Sequence, residues 1–140
     1  MERLKLKIAV YIILIKDGKI LLGRRFNTGW QDGNYGLPSG HLEPEESMME
    51  ALLRETREQT GIQLKLEDVQ FVHVMHRKSI YIDFFFVSKD WMGDQQLMEK
   101  DKCDDMQWFS LDQLPATMVS AHRHALEQIQ QKMFYSEHGW

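Results

Sequence analysis

The chain has 140 residues, 43% of them hydrophobic, and a formal net charge of -4. That length and apolar content suit one domain, residues 1–140, with a core of its own, and they exclude a disordered chain. The acidic balance argues against a general polyanion-binding surface, so long nucleic acid is not an expected partner, and the single cysteine, Cys103, allows no internal disulfide and fits a reducing cytoplasm.

Residues 7–16 and 19–25 are rich in Ile, Val and Leu and are joined by Asp17-Gly18, which predicts a β-hairpin. The apolar run from Ile8 to Ile15 is too short to span a bilayer and lacks a small-residue cleavage site, so neither a membrane partner nor a signal peptide is expected. Residues 26–46 read mostly as loop. Gly29, Gly33, Gly36, Gly40 and Pro38 crowd this segment, and such a backbone suits close approach to a ligand or exposed carbonyls. Residues 47–60 predict a helix, with Ser47 and Glu50 spaced as a capping box and Gly61 placed to end it. On a helical projection Met49, Leu52, Leu53, Thr56 and Thr60 form a packing stripe. Glu55, Glu58 and Gln59 cluster on a neighbouring face, with Arg54 beside them. Residues 69–77 and 80–88 predict a second strand pair around Lys78-Ser79, and 89–102 a polar loop. A short strand follows at 105–109, then an amphipathic helix at 120–133 with Ala121, Ala125, Leu126, Ile129 and Met133 toward the core. The ending FYSEHGW is compatible with a packed aromatic or with fraying. This order predicts an α/β class, an α/β/α sandwich on a mixed β-sheet.

Taken alone, the acidic helix face reads equally well as a solvated surface laced with ion pairs. The spacing around it is more specific. Gly40, Glu46, Arg54, Glu55, Glu58, Gly61 and Ile62 follow the pattern G, five residues, E, seven residues, R-E, two residues, E, two residues, G, apolar. This resembles the Nudix box of the Nudix hydrolase family, with MutT-like members. The runs NYGLPSGHLEPEES and WFSLDQLP are similar to the family beyond the box, so the resemblance extends from about residue 8 to about residue 130. Three positions depart from the family pattern. Thr56 replaces an aliphatic, Ser39 a glycine, and Gln59 the second glutamate of an E-E pair.

The resemblance implies an enzyme that hydrolyses the diphosphate linkage of a nucleotide with Mg2+ or Mn2+. A magnesium ion needs oxygen ligands, and carboxylates with substrate phosphates supply them. The metal lowers the pKa of a bound water that attacks phosphorus, and a carboxylate takes the proton. By resemblance Glu55 and Glu58 are ligands or base, the Gly40 carbonyl completes the sphere, and Arg54 orients Glu58. Gln59 coordinates without charge or not at all, which leaves a catalytically weak nucleotide-binding domain as an alternative. Glu99, in the loop EKDKCDD, is the first choice for a further acid, ahead of Asp101 and Asp104.

A short chain of this kind looks like the MutT-type enzymes, which cleave a (deoxy)nucleoside triphosphate to monophosphate and pyrophosphate. ADP-ribose, nucleotide sugars, dinucleoside polyphosphates and capped RNA ends are the alternatives. For substrate contact the candidates are Arg24 and Arg25, of which a strand points only one to each face, together with Trp30, Tyr35 and His76. His73 and Arg77 share the strand face opposite His76. The expected partner is a small-molecule nucleotide, and the sequence leaves a homodimer open.

Overall fold

The computed structural model describes all 140 residues. Strand β1 (Lys7–Lys16) is its centre, with an unbroken buried run from Ala9 to Leu14. A strand covered on both faces has no polar side, which is why its sequence reads as continuous Ile, Val and Leu. Its odd-numbered residues Ala9, Tyr11 and Ile13 enter one core cluster and its even-numbered residues Val10, Ile12 and Leu14 another. Asp17 and Gly18 both take positive φ, 54° and 73°, the geometry of a tight hairpin turn into β2 (Lys19–Arg25).

The remaining elements in chain order are β3 (Tyr35–Gly36), β4 (Ser39–His41), α1 (Met48–Thr60), β5 (Gln63–Leu64), a 3-10 turn (Leu66–Asp68), β6 (Val69–Arg77), β7 (Tyr81–Ser88), β8 (Trp91–Met92), β9 (Cys103–Ser110), α2 (Ser120–Gln130) and β10 (Tyr135–His138). The main sheet runs β10-β6-β7-β1-β2-β3, with β4 also on β1 and β9 also on β2. It is mixed, because β1 pairs parallel with β7 and β10 parallel with β6, while the other pairs are antiparallel. Ala51 and Leu52 of α1 close the even-numbered face of β1, and Ala121, Ala125 and Leu126 of α2 close the odd-numbered face. The result is the expected three-layer α/β/α sandwich. No helix is long and apolar enough to cross a membrane.

Several boundaries differ from the expectation. The segment 26–46 contains two short strands, and β9 starts at Cys103 because a bulge at Arg24/Arg25 lets Arg25 pair with it. Helix α2 stops at Gln130, and Lys132 turns the chain with φ 60°, so Met133 points out at 48% exposure. The tail then forms β10, and the Trp140 indole N–H donates to the His76 carbonyl at 3.0 Å. A four-residue strand carries little hydrophobic alternation, so its pairing was not visible in the sequence.

Candidate active site

The capping box of α1 forms as expected: the Ser47 hydroxyl accepts from the Glu50 N–H at 3.1 Å, and the Glu50 carboxylate accepts from the Ser47 N–H at 3.0 Å. Gly61 ends the helix at φ 75°, with its N–H donating to the Arg57 carbonyl. The packing stripe is shifted from the expected one. Ala51, Leu52, Thr56 and Thr60 are buried, while Met49 and Leu53 are only half-buried. Thr56 is tolerated in an apolar position because its hydroxyl donates to the Leu52 carbonyl at 2.7 Å.

This anchoring presents Arg54, Glu55, Glu58 and Gln59 toward β4. Arg54 is the hub. Its Nε and Nη2 bind Glu46 at 2.6 and 2.9 Å, and its Nη1 donates to Glu55 at 2.9 Å and Glu58 at 3.3 Å. Nη2 also donates to the His41 carbonyl at 3.1 Å. The fork-on-carboxylate pair holds the Glu46 carboxyl down at about 2. Arg54 therefore orients both acids of the face and ties the helix to β4, rather than serving Glu58 alone.

Gly40 is where the two elements touch. A Cβ at that position would fall on the Glu55 side chain, so only glycine lets Glu55 lie against the β4 backbone. Gln59 sits beside it. Its carbonyl accepts from the Ser39 N–H at 3.0 Å, and its NH2 donates to the Ser39 carbonyl and, at 3.1 Å, to Glu55. The amide thus pairs with a peptide group and a carboxylate at once, which a glutamate could not do.

Glu99 approaches from the loop before β9. Its carboxyl is held above the ordinary range, first by partial burial and then by the negative charge of Glu55 and Glu58, against the opposing pull of Lys102. Asp104 is occupied elsewhere, in an exposed ion pair with Arg24 at 2.7 Å, and Asp101 is exposed. No three His, Cys, Asp or Glu side chains stand together as a ready-made ion cage. The donor set still fits a hard divalent cation, which takes carboxylate and main-chain oxygens and keeps waters.

On the other side of β4, residues 39 to 41 form one wall of a cleft of about 170 Å³ against the α2 face. Arg25 reaches into it, with Nε donating to the Trp30 carbonyl at 2.7 Å and the guanidinium 4.9 Å from the Trp30 ring centre. Burial lowers its pKa, against the pull of Asp32. Arg77 lies 4.1 Å from the Tyr81 ring centre and is bound bidentately to Asp83 at 2.8 and 3.2 Å. His122 lines the cleft from α2. A larger depression of about 370 Å³, bordered by Lys16, Lys89 and Trp91, holds none of the acids described above.

The structure thus brings together Gly40, Arg54, Glu55, Glu58 and Gln59, leaves Glu99 within reach of the charge of Glu55 and Glu58 without direct contact, and brings Arg25 and Trp30 to the cleft across β4. Arg24 lies outside the cleft, on Asp104 and above the Tyr35 ring. Tyr35 lies in the core, with its hydroxyl on Asp105, because β3 pairs with β2 on one side and bridges to Met118 on the other. His76 is turned away from the cleft, with its ring 4.7 Å from that of Trp140. His41, Tyr81 and His122 were missed. For His122 a signal existed: residues 122, 125, 126 and 129 have core-stripe spacing, so a histidine there enters the interior.

The NUDIX domain family model matches residues 5–129. The solved structure of a MutT NUDIX hydrolase from Burkholderia pseudomallei superposes with a TM-score of 0.82 at 27% identity, covering 89% of this chain and 98% of that one. The E. coli ORF135 protein superposes with a TM-score of 0.77 at 29% identity, covering 91% of each chain. Among curated relatives, the NAD-capped RNA hydrolase NudC of Pseudomonas entomophila (strain L48) is 29% identical over 109 residues, which are 76% of this chain and 37% of that protein. The NudC of Pseudomonas aeruginosa (strain LESB58) is 26% identical over 126 residues, 88% of this chain and 44% of that protein. The chain spans about two fifths of the length of these curated relatives. With its fold, its intact box spacing and a family match over nearly its whole length, the chain belongs to the Nudix family.

Proposed function

We propose that this chain is a hydrolase of the diphosphate linkage of a small-molecule nucleotide, acting on a (deoxy)nucleoside triphosphate to give monophosphate and pyrophosphate. The observation that carries the reading is Glu55 packed on Gly40 and tied with Glu58 to Arg54, on a strand whose residues 39 to 41 also wall a cleft bearing two guanidiniums. Burial raises the pKa of Glu99, and the negative charge of Glu55 and Glu58 adds to that rise. The Gly40 carbonyl and acids drawn from Glu55, Glu58 and Glu99 would hold Mg2+ or Mn2+. When bound, such an ion neutralises the diphosphate and activates a water toward phosphorus.

The chain's own groups do the rest. Arg54 fixes the carboxylates of Glu55 and Glu58 by charge-assisted hydrogen bonds. Of these two, the one left free of the cation accepts the proton of the attacking water. Gln59 serves as a positioning residue, locking the Ser39 peptide and one oxygen of Glu55. Arg25 faces the cleft with no carboxylate in direct contact and so offers a site to a substrate oxygen. The single unpaired Cys103 supports a cytoplasmic setting for this activity.

A second reading, cleavage of a dinucleotide-type diphosphate such as ADP-ribose or an NAD-derived end, is favoured by the NudC relatives. A panel of canonical and oxidised nucleoside triphosphates, ADP-ribose and NAD, incubated with Mg2+ and resolved by product, tests the proposal. Monophosphate and pyrophosphate from a triphosphate, abolished by chelation, are expected. Turnover of ADP-ribose or NAD alone would replace the triphosphate reading with the second, and no metal-dependent turnover of any member would overturn both.

A further inference from the structure

We propose that the cleft on the α2 face takes the substrate's nucleobase, and that His122 selects bases whose edge presents a carbonyl acceptor (guanine, uracil, thymine) over those presenting an amino group there (adenine, cytosine). This rests on the nucleotide reading above.

The neighbours of His122 decide its tautomer. The Leu37 backbone N–H can only donate, and His122 Nδ1 accepts it at 3.1 Å. The ring proton of the neutral imidazole is therefore on Nε2. The ring stays neutral, because burial, with Arg25 and Arg77 nearby, pushes its pKa down to about 3. His122 is 1% exposed, and Nε2 has no hydrogen-bond partner. A buried donor is rarely left unmade, so a missing acceptor belongs to something the cleft receives. The Tyr11 ring meets His122 at 73° with centroids 4.9 Å apart, and a ring face is at most a weak acceptor.

The charged side chains of the cleft are of the same kind. Arg25 and Arg77 bring donors only, and the nearby Asp83 carboxylate is already taken by Arg77 and the Tyr11 hydroxyl. Trp30, 39% exposed and 6.4 Å from His122 between ring centres, provides a flat apolar surface for a base. A keto base turns O6 or O4 toward such a site, whereas adenine and cytosine turn an NH2 toward it and set donor against donor. The cleft and the acidic face share one strand, because Ser39, Gly40 and His41 wall the cleft and Gly40 is also where Glu55 packs.

The test compares kcat/KM for GTP against ATP and for UTP against CTP, with Mg2+, in the native chain and in His122→Gln and His122→Asn. A glutamine NH2 can stand where Nε2 stands, while an asparagine oxygen can stand where Nδ1 stands and keep the Leu37 hydrogen bond. The native chain should prefer the keto member of each pair by roughly tenfold or more, as expected for one good base contact. His122→Gln should keep the preference, and His122→Asn should bring the ratio near one. Equal rates for both members in the native chain, or a preference unchanged in His122→Asn, would overturn the inference, the latter meaning that the donor is satisfied inside the protein. If no triphosphate is cleaved at all, the functional reading fails by itself. Calorimetric titration with GMP and AMP then decides this inference separately, tighter binding of GMP supporting it and equal binding refuting it.

Discussion

At the scale of single residues, the site is a balance of carboxylates around one guanidinium. Glu55→Gln and Glu58→Gln keep the size and shape of the side chain while removing its charge and one acceptor oxygen. Each should lower kcat by about two to four orders of magnitude, the range for losing a proton acceptor or its electrostatic equivalent, with circular dichroism unchanged. A loss of less than threefold in both would remove them from the chemistry. Gln59 makes the opposite case. A glutamate there matches the family pattern, but it cannot donate to the Ser39 carbonyl and it repels Glu55. Gln59→Glu should therefore cost roughly 1–3 kcal/mol in urea unfolding without divalent metal, the usual penalty for a lost and unsatisfied partner, and recover part of it when Mg2+ is added. Equal stability would mean that the Ser39 clamp carries no weight. The residue types of the acidic face, and their spacing to Gly40, were legible in the sequence. That Gln59 grips a peptide group, that Arg54 binds Glu46 as a fork and that Tyr35 is core were not legible, because each depends on which strand lies opposite.

At the scale of elements, α1 is the part whose sequence and structure agree most closely, and its ends are testable. Ser47→Ala removes the acceptor for the Glu50 N–H and should cost about 1 kcal/mol. Gly61 has only ordinary contacts around the position of a Cβ, so Gly61→Ala should cost about 1–2 kcal/mol through its left-handed backbone alone. Thermal unfolding of both variants checks these values, and an Ala at 61 with unchanged Tm would show that the helix ends in some other way. The strands of the first hairpin were equally plain, because Asp17-Gly18 fixes the turn and a run buried on both faces is unmistakably apolar. The short strands were hidden for the converse reason. β3, β4 and β10 have two to four residues, too few to display a period, and they exist because β1, β2 and β6 offer them hydrogen-bonding partners.

At the scale of the whole molecule, folding brings charges and titratable groups together that the unfolded chain keeps apart. His122 has its pKa pushed down to about 3 in the fold, so below the ordinary histidine value near 6.5 the unfolded chain binds a proton that the folded one refuses. Its share of stability is therefore complete above about pH 6.5 and is lost as pH falls toward 3, at up to about 1.4 kcal/mol per pH unit for one proton. His73 and His138, also lowered by burial, act in the same direction. Urea unfolding at pH 7, 5.5 and 4.5 should show this decline, and it should be shallower in His122→Asn. An equal slope would contradict the neutral buried ring. The central claim concerns cation binding by the acids that the fold assembles. Titration of Mn2+ followed by electron paramagnetic resonance, on the native chain and on a Glu55→Gln/Glu58→Gln variant, tests it most directly. The native chain should remove free Mn2+ signal at stoichiometric protein, and the variant should lose this binding. Equal Mn2+ binding by the two proteins would contradict it.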